Sequence, residues 1–423
     1  MTTTTKLQFL LVGAICALGG YFFGTHQVNL EWKNYKASAS IINKEPPAGS
    51  PNDFSLFWDV YDKLNRQYYN KKVLDPQKEV YGAISGMVQS VGDPYTMFLP
   101  PTQNTNFQQQ MAGQFSGIGA ELGLAPDNKT IIIIAPLDGS PSQKAGIKEG
   151  DTILKVNGQS TLGWTLPQTV EKIRGPKGST VTLTILHKGS KDAQDIVIKR
   201  DTITVKSVVG WVKKVKDIAT VSDTLKNAQG DNEVMYLRLS QFGDNTNKDW
   251  SDVITKLRTQ IQKDGNVKGA ILDLRDNPGG FLTDATFIAG EFLPEGTPVV
   301  TEDDGNGNKQ TLTVTRQGQL LDTPVVVLIN GGSASASEIV SGALRDDRKI
   351  KLVGDKSFGK GTVQEAIDLG AGSSVHITIA KWLTPNGTWV HGKGLTPDVS
   401  VALDPKTPTV DTQLEAAIKT LLQ

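Results

Sequence analysis

Hydrophobic and polar residues follow three different patterns along the chain. Residues 9–24 (FLLVGAICALGGYFFG) form one continuous apolar run. Between residues 53 and 91, apolar side chains recur every three or four positions, and this spacing predicts two amphipathic helices. From residue 115 the pattern changes to short apolar runs separated by glycine turns, which predicts β-strands. Beyond residue 230, strand and helix patterns alternate, which favours a mixed α/β core.

The periodicity also places the individual elements. The predicted helices cover residues 53–64, 76–91, 102–111, 165–173, 247–263, 338–344 and 410–422, and Asp53 is a typical N-cap residue for the first of them. The predicted strands cover residues 118–124, 130–135, 152–156, 180–187, 234–239, 269–274 and 324–329. We expect the apolar strand 269–274 to be buried on both faces.

These changes of pattern predict an α+β chain of several domains, and its length of 423 residues fits two or three of them. The expected parts are a signal anchor, a tether, a helical region, a β-rich module, a mixed α/β core and a C-terminal helix. Their predicted bounds are 1–24, 25–52, 53–112, 113–200, 201–405 and 406–423.

The apolar run at 9–24 is the candidate membrane anchor. At about 1.5 Å per residue it is short for a bilayer, but snorkelling of Lys6 and the aromatic residues 21–23 could extend it. We expect an uncleaved signal anchor. A cleaved signal peptide stays open, because residues 37–39 (ASA) resemble a cleavage site. In both cases the bulk of the protein would be exported.

Composition narrows the range of functions. The formal net charge is zero, so the sequence gives no reason to expect a nucleic-acid partner. Cys16 is the single cysteine, which excludes an internal disulfide and a cysteine-based zinc site. The four histidines show no metal-ligand spacing. We therefore expect no metal and no cofactor.

The residues with the most chemical interest are three serines on alternate positions, Ser333, Ser335 and Ser337. There a buried strand runs through small residues into a helix, whose N-terminal N–H groups favour a developing oxyanion. Close packing and helix capping would explain the same residues. Downstream, Lys360 lies between two glycines in an apolar region. A lysine acts as a base only where burial lowers the pKa of its amine, and a single lysine is usually a solvated charge.

A second motif, residues 115–120 (FSGIGA), suits the binding of a chain terminus. Its glycines let backbone N–H groups converge on an anion, and an open strand edge after it could pair with an extended peptide. With residues 140–147 (SPSQKAGI) and 150–158 (GDTILKVNG), the segment 115–200 resembles a PDZ domain. The resemblance implies a site for C-terminal tails of protein substrates, with apolar ends favoured, and its candidate residues are Gly117, Ile118, Gly119, Ala120 and Leu122.

Together with residues 273–280 (DLRDNPGG), 332–339 (GSASASEI) and 358–364 (FGKGTVQ), these motifs resemble the C-terminal processing peptidases, or tail-specific proteases, of family S41. The resemblance covers about 53–423. It implies a serine endopeptidase on the extracytoplasmic side of a bacterial membrane that cleaves exported proteins near their C-terminus. Its implied residues are the nucleophile Ser335, the base Lys360, the amine-orienting Gln364, an oxyanion hole from Gly279, Gly280 and Ala336, and an acidic Asp346 that we expect to be structural.

Other interpretations stay open at this point. Residues 357–360 (SFGK) fit the S-x-x-K pattern of penicillin-binding enzymes, with Ser357 as nucleophile, although their other motifs are absent. A non-catalytic PDZ scaffold is a second alternative. The same architecture fits processing of one precursor and degradation of many. The helices at 53–91 and 410–422 could pack on the body or form a homodimer contact. Residues 201–232 are longer than is common in the family, which leaves the path between domains open.

Overall fold

A computed structural model describes residues 28–33, 36–41, 53–125, 129–137, 139–264, 266–404 and 409–423. The predicted anchor at 1–24 lies outside this range. Within it, no helix combines the length and apolarity that crossing a bilayer requires. The chain divides into two compact units, residues 1–80 and 81–423.

The first unit contains an antiparallel hairpin inside the segment predicted to be a tether, followed by helical structure. Its elements are β1 (Val28–Lys33), β2 (Lys36–Ile41), α1 (Ser55–Gln67), a 3₁₀ turn (Lys71–Val73) and the start of α2 (Pro76–Gln89). The prediction of Asp53 as N-cap is wrong by one residue, because the N-cap is Phe54. The Asp53 carboxylate still accepts a hydrogen bond of 2.8 Å from the N–H of Ser55 in the first turn. Phe54, just before α1, and Trp58 within it are both about half exposed.

The second unit contains the remaining elements. Its helices are α3 (Pro101–Met111), α4 (Pro141–Lys144), α5 (Leu166–Ile173), α6 (Asp223–Gln229), α7 (Thr246–Asp264), α8 (Leu282–Ala289), α9 (Ala336–Arg348) and α10 (Thr412–Leu421), with a 3₁₀ turn at Val215–Asp217. Its strands are β3 (Met97–Leu99), β4 (Gln114–Gly117), β5 (Ala120–Leu124), β6 (Ile131–Pro136), β7 (Thr152–Val156), β8 (Gln159–Ser160), β9 (Thr180–Leu186), β10 (Ala193–Lys199), β11 (Asp201–Thr204), β12 (Val208–Lys214), β13 (Glu233–Leu239), β14 (Val267–Asp273), β15 (Pro298–Asp303), β16 (Lys309–Thr313), β17 (Val325–Ile329), β18 (Lys351–Gly354), β19 (Thr362–Gly370), β20 (Ser373–Leu383) and β21 (Val399–Ser400).

A six-stranded sheet of order β12-β13-β14-β17-β18-β21 forms the centre of this unit. All neighbours are parallel except β12 and β13. Successive side chains of a strand point to opposite faces, so Leu272 and Val327 enter one hydrophobic core while Ile271 and Leu328 enter another. The expectation that this strand is buried on both faces is confirmed, because its residues 269–273 are all buried.

Helices cover both faces of the central sheet. On one face lie α7, α8 and α9, which contribute Trp250, Ile288 and Val340 to the larger core. On the other face α6 and α10 contribute Leu225 and Ile418. This layered arrangement confirms the mixed α/β core, and it presents the loops after β14 and β17 at the same edge of the sheet.

A second sheet, of order β16-β15-β20-β19 with β3 paired to β20, was not predicted from the sequence. Its long strands β19 and β20 carry polar residues and have mostly exposed or half-buried side chains, so they show no clear apolar period. Outside this sheet, the strands and α-helices that the pattern missed in the second unit are β4, β8, β10, β11, β12, β18, β21, α4, α6 and α8. Because β19 and β20 carry Gln364 and His376, this sheet supplies one wall of the site described below.

The β-rich module is built from strands of order β10-β9-β7-β6-β5, with β8 attached to β7. Its core is formed by buried side chains such as Ile133, Ile153 and Leu183. Helix α5 begins at a capping box. The side chain of Thr165 accepts the N–H of Gln168, and the side chain of Gln168 accepts the N–H of Thr165. Strand β5 is the last in this order, so among the described strands one of its edges is unpaired. Beyond β10, residues 201–232 form β11, β12, the 3₁₀ turn at Val215–Asp217 and α6.

Candidate active site

A strained serine lies where β17 leads into α9. Ser335 directly precedes the helix, with φ +53° and ψ −116°. This is a backbone conformation that residues with a Cβ rarely adopt, and such strain is typical of functional turns. The residue lines a cavity of about 340 Å³. The sequence analysis placed a serine at this helix N-terminus, and the structure confirms that position.

The three alternate serines have different surroundings. Ser333 is fully buried and donates its hydroxyl to the carbonyl oxygen of Leu274 at 2.8 Å. Ser337 is fully buried and donates to the carbonyl oxygen of Asn277 at 2.9 Å. The Ser335 hydroxyl donates no hydrogen bond to any residue in the described ranges. Ser335 is therefore the one member of the trio that lines the cavity and whose hydroxyl proton forms no hydrogen bond to the described residues.

Two glycines of the loop after β14 pack against this serine. A Cβ on Gly279 would lie 2.8 Å from the Cβ of Ser335 and 2.7 Å from the carbonyl oxygen of Ala334, and the residue has φ +94°. Gly280 has φ +143°, and a Cβ there would overlap the carbonyl group of Phe242. Both positions thus require glycine for conformational and steric reasons.

The predicted oxyanion donors do not have equal hydrogen-bonding roles. The N–H of Gly279 donates to the Oδ1 atom of Asn277 at 2.9 Å, which commits this group and argues against Gly279 as a donor to an oxyanion. The N–H groups of Gly280 and Ala336 form no hydrogen bond within the part of the chain that the structure describes, and both residues line the cavity. These two N–H groups are therefore free to bind an oxygen beside Ser335.

The buried carboxylate of Glu338 joins the serine turn to the lysine loop. Its Oε2 atom accepts the N–H of Ser335 and the N–H of Lys360, each at 2.9 Å. Its Oε1 atom accepts the hydroxyl of Ser357 at 2.6 Å and the N–H of Gly359 at 2.7 Å. The side chain is fully buried. Four donors from two segments thus converge on a single carboxylate, which fixes the backbone of both segments.

Lys360 lies half-buried in the same cavity as Ser335. Burial lowers the pKa of its amine below the ordinary lysine value, while the charge of Asp93 opposes this shift. The Nζ atom lies 5.0 Å from the centre of the Tyr95 ring. It forms no hydrogen bond with the described residues. The lysine is thus partly desolvated, as a lysine base requires.

Gln364, which the family resemblance implied as a site residue, lies on β19 and lines the cavity. Its Nε2 atom donates to the hydroxyl oxygens of Thr362 at 2.9 Å and Thr378 at 3.1 Å. Among the residues that the structure describes, no hydrogen bond joins Gln364 to Lys360. The glutamine is therefore held by the sheet and leaves its Oε1 atom as an acceptor.

Sequence reasoning missed several cavity residues, among them Tyr95, Met97 and His376. Tyr95 lies in the loop before β3, for which no element was predicted, and Met97 and His376 lie on strands that the pattern did not predict. Burial, with the charge of Lys360 as a second cause, lowers the pKa of His376, so its imidazole is held neutral. Residues 92–94 (GDP) are typical of a helix end, but nothing local in the sequence indicated that the next residue would contact Lys360.

Two further residues named from the sequence lie outside the cavity lining. Ser357, the nucleophile of the penicillin-binding alternative, is buried, and its hydroxyl donates to Glu338 and accepts the N–H of Leu395. Asp346 accepts the N–H of Asn386 at 3.1 Å near the end of α9, which is a structural role. In the described ranges no three His, Cys, Asp or Glu side chains are grouped so as to hold a metal ion.

A second cavity, of about 230 Å³, lies in the β-rich module between β5 and α5. The five residues predicted to bind a peptide all line it, and they are Gly117, Ile118, Gly119, Ala120 and Leu122. Helix α5 contributes Val170 and Ile173 to the opposite wall. The guanidinium of Arg174 lies 5.4 Å above the Phe115 ring at one end. An apolar groove therefore runs beside the unpaired edge of β5.

The family models divide the chain in agreement with this architecture. Residues 233–401 match the model of peptidase family S41, residues 108–186 match that of the PDZ domain, and residues 10–102 match that of the activating protease CtpB N-terminal domain. The solved structure described as an S41 protease of Bacteroides fragilis NCTC 9343 superposes with a TM-score of 0.56 at 16% identity, over 89% of this chain and 99% of that one. That likeness concerns the fold alone.

Two curated relatives come from Bacillus subtilis (strain 168). The carboxy-terminal processing protease CtpA is 36% identical over 366 residues, which is 86% of this chain and 72% of that protein. The carboxy-terminal processing protease CtpB is 36% identical over 395 residues, which is 92% of this chain and 77% of that protein. The chain therefore belongs to the carboxy-terminal processing proteases of peptidase family S41, and it is a serine protease with a PDZ domain.

Proposed function

We propose that this protease cleaves exported proteins near their C-terminus with Ser335 as nucleophile and Lys360 as general base, after the PDZ domain has bound the substrate's tail. The observation that carries the proposal is the shared cavity. It contains a serine whose hydroxyl proton is uncommitted and a half-buried lysine whose pKa is lowered. A neutral amine beside a hydroxyl is the arrangement that acyl transfer requires.

The reaction follows from these groups. Neutral Lys360 takes the hydroxyl proton as the Ser335 oxygen bonds to the scissile carbonyl carbon. The resulting lysinium gives that proton to the leaving amine as the C–N bond breaks, which leaves an acyl-enzyme. Water then attacks the ester, and the same lysine accepts its proton and returns it to the serine oxygen. The proton balance closes without any further group.

The oxyanion of the tetrahedral intermediate would bind to the N–H groups of Gly280 and Ala336. Both are unbonded within the described residues, and the first lies in a loop fixed by Phe242 and the second at the start of α9. The positive end of the helix dipole adds to this stabilisation. Gln364 would accept a hydrogen bond from the lysine amine through Oε1, because Nε2 is already occupied by two threonines.

The groove of the PDZ domain would hold the tail as an added strand. The unpaired edge of β5 supplies backbone groups for pairing, and Leu122 and Ile173 supply an apolar wall for the last side chain. The N–H groups of Ile118 and Gly119 make no hydrogen bond to the described residues, so they are available to the terminal carboxylate. This favours substrates with apolar C-termini.

The test of the catalytic pair compares Ser335→Ala and Lys360→Ala with the wild-type protein on an unfolded reporter with an apolar tail. We expect each variant to lose at least about 10⁴-fold in kcat with unchanged urea unfolding. Wild-type activity should rise with pH as the amine loses its proton. Ser333→Ala is the matched control, because its hydroxyl is buried and bonded to Leu274. Activity in Ser335→Ala together with its loss in Ser333→Ala would reject the assignment.

We further propose that residues 9–24 anchor the enzyme in a membrane, with the catalytic unit on the extracytoplasmic side of a bacterial cell. The support is the apolar run and the preceding Lys6. Extraction of membranes with alkaline carbonate would test it. Release of the full-length chain into the soluble fraction would contradict the anchor.

A further inference from the structure

The loop between α2 and β3 brings an aromatic ring to the lysine. Tyr95 and Lys360 line the same cavity, and Nζ lies 5.0 Å from the ring centre, within the range of a cation–π contact. The amine has no hydrogen-bond partner among the residues that the structure describes. The ring face is therefore the best-defined contact of this amine.

The position of the ring is fixed by its own loop. The N–H of Tyr95 donates to Oδ1 of Asp93 at 3.0 Å, and Oδ2 of Asp93 accepts the hydroxyl of Thr96 at 2.7 Å. The Thr96 oxygen in turn accepts the N–H of Thr378 at 3.0 Å, which ties the loop to β20. The ring also meets His391 edge-on, with centroids 6.1 Å apart. A ring held in this way can contact the lysine amine without a change in its own position.

The titratable groups around the amine define its electrostatic setting. They come from four parts of the fold, and they are Asp93 and Tyr95 in the loop before β3, Glu338 on α9, His376 on β20 and His391 beyond β20. Burial, with the charges of Asp93 and Glu338, raises the pKa of Tyr95 and keeps its phenol neutral. Its ring thus offers a quadrupole to the amine and not a phenolate charge.

We propose that Tyr95 is a positioning residue for Lys360, whose ring face holds the ammonium group between the uptake of the Ser335 proton and its delivery to the leaving amine. This inference rests on the proposed function, because it needs Lys360 as the base. The proton moves from the serine oxygen to Nζ and then to the leaving nitrogen, so no co-reactant is needed. The contact opposes the effect of burial, because the ring stabilises the charged form that burial disfavours.

The experiment measures kcat and KM against pH with the full chain, for wild type, Tyr95→Leu and Tyr95→Phe. Without the ring the ammonium form loses stabilisation. We expect the limb on which activity rises to move about half a unit to one unit lower in pH, and the plateau kcat to fall about two- to fivefold with KM unchanged. Tyr95→Phe keeps the ring face and should restore the wild-type profile.

A purely structural role would give a different result. Unmoved profiles in Tyr95→Leu, or equal losses in the Leu and Phe variants without a shift in pH, would overturn the inference. If Tyr95→Leu does not fold, as judged by urea unfolding, Tyr95→Met keeps a long apolar side chain without a ring and decides the question by the same shift. Lys360→Ala separates the two proposals. If Lys360→Ala is active, the assignment of Lys360 as the base is rejected. If Lys360→Ala is inactive but the pH profile of Tyr95→Leu equals that of the wild type, only the role of the Tyr95 ring is rejected.

Discussion

The candidate active-site cleft and the PDZ groove are held in place in different ways. In the cleft, a fully buried carboxylate, Glu338, takes four hydrogen bonds and holds a serine with a strained backbone. In the groove, the loop is held by the buried side chain of Ile118 and by two bonds from Ser142. The N–H of Ser142 donates to the Ile118 carbonyl oxygen at 2.8 Å, and its hydroxyl donates to the Gly119 carbonyl oxygen at 2.7 Å. A buried charge positions the first site, whereas neutral hydrogen bonds, apolar packing and a strand edge position the second.

This difference predicts how each site responds to change. Chemistry depends on the placement of a few atoms, and a shift of about 1 Å in a catalytic group can cost about 100-fold in rate. A tail lying along a strand edge shares its binding energy among many backbone bonds and apolar contacts. We therefore expect single-atom changes to be severe in the cleft and moderate in the groove.

Glu338→Gln should give the largest effect of the changes that leave the proposed reacting groups, Ser335 and Lys360, intact. The substitution replaces one acceptor oxygen by an NH₂ group that faces two donors, so the backbones of Ser335 and Lys360 lose their common anchor. We expect kcat to fall about 100-fold, KM to change little, and the free energy of unfolding to fall by about 2–3 kcal/mol. Kinetics of peptide hydrolysis and urea unfolding measure the two effects.

Glu365→Gln is the matched control for this prediction, because Glu365 is exposed on β19 and should leave both quantities unchanged. Wild-type kcat in Glu338→Gln would show that the carboxylate is not needed to align the two segments. A fall in stability with no fall in kcat would limit its role to folding.

Gly119→Ala is the corresponding change in the groove. A Cβ at this position would lie 2.5 Å from the Cβ of Ser140 and 2.8 Å from Cδ1 of Ile203, on a backbone with φ +72°. We expect affinity for an apolar tail peptide to fall about tenfold, while kcat on short peptides without a bound tail stays within about twofold. Fluorescence anisotropy of a labelled tail peptide measures the affinity.

Gly139→Ala separates steric blockage from backbone strain in this prediction. Its φ is +71°, nearly the same, but a Cβ there would meet nothing within 4 Å. We expect this variant to bind the tail almost as the wild type does. Equal losses in both variants would mean that strain in the module, and not the shape of the loop, controls tail binding.

The same contrast explains what the sequence could predict. Strand 269–274 was found because its apolar pattern is local, and Ser335 was found because a short motif carries it together with the helix that follows. The groove residues were also recognisable, since the glycine loop and its strand are continuous in sequence. Features that depend on neighbouring residues can be seen in a sequence.

The remainder of the cleft depends on contacts between distant segments. Tyr95 meets Lys360 across more than 260 positions, and no local pattern relates them. The N–H of Gly279 donates to Asn277, and Nε2 of Gln364 donates to two threonines, and neither set of bonds is visible in the motifs that carry these residues. Motifs therefore predicted which residues surround the site, whereas hydrogen-bond partners required the fold.

Near the cleft, a second buried carboxylate lacks the full set of hydrogen-bond partners that Glu338 has. Asp284, in the first turn of α8, is buried and accepts one hydrogen bond of 2.9 Å from Nδ2 of Asn247. Its second carboxylate oxygen and the Asn247 carbonyl oxygen are both buried without a partner in the described part of the chain. Burial, with the charge of Asp244 adding to it, raises the pKa of Asp284 to about 6. The carboxyl group therefore ionises within the physiological pH range, and its charged form is disfavoured by burial.

Asp284→Asn should give the smallest effect of the three, and it should depend on pH. The folded-state pKa lies above the ordinary value of 3.8, so the contribution of this group to stability is full below pH 3.8 and is lost as pH rises through 6. An asparagine carries no charge and can donate to the orphaned Asn247 oxygen. We expect the variant to unfold with about 1–2 kcal/mol more free energy at pH 8 and to match the wild type within about 0.5 kcal/mol at pH 4.5. Urea unfolding at the two pH values measures the difference. An equal gain in the free energy of unfolding at both pH values would contradict the titration of Asp284. A lower free energy of unfolding at pH 8 would mean that the charge of Asp284 stabilises the fold. The Asp284 network would then resemble the Glu338 network, in spite of its two unpaired oxygens.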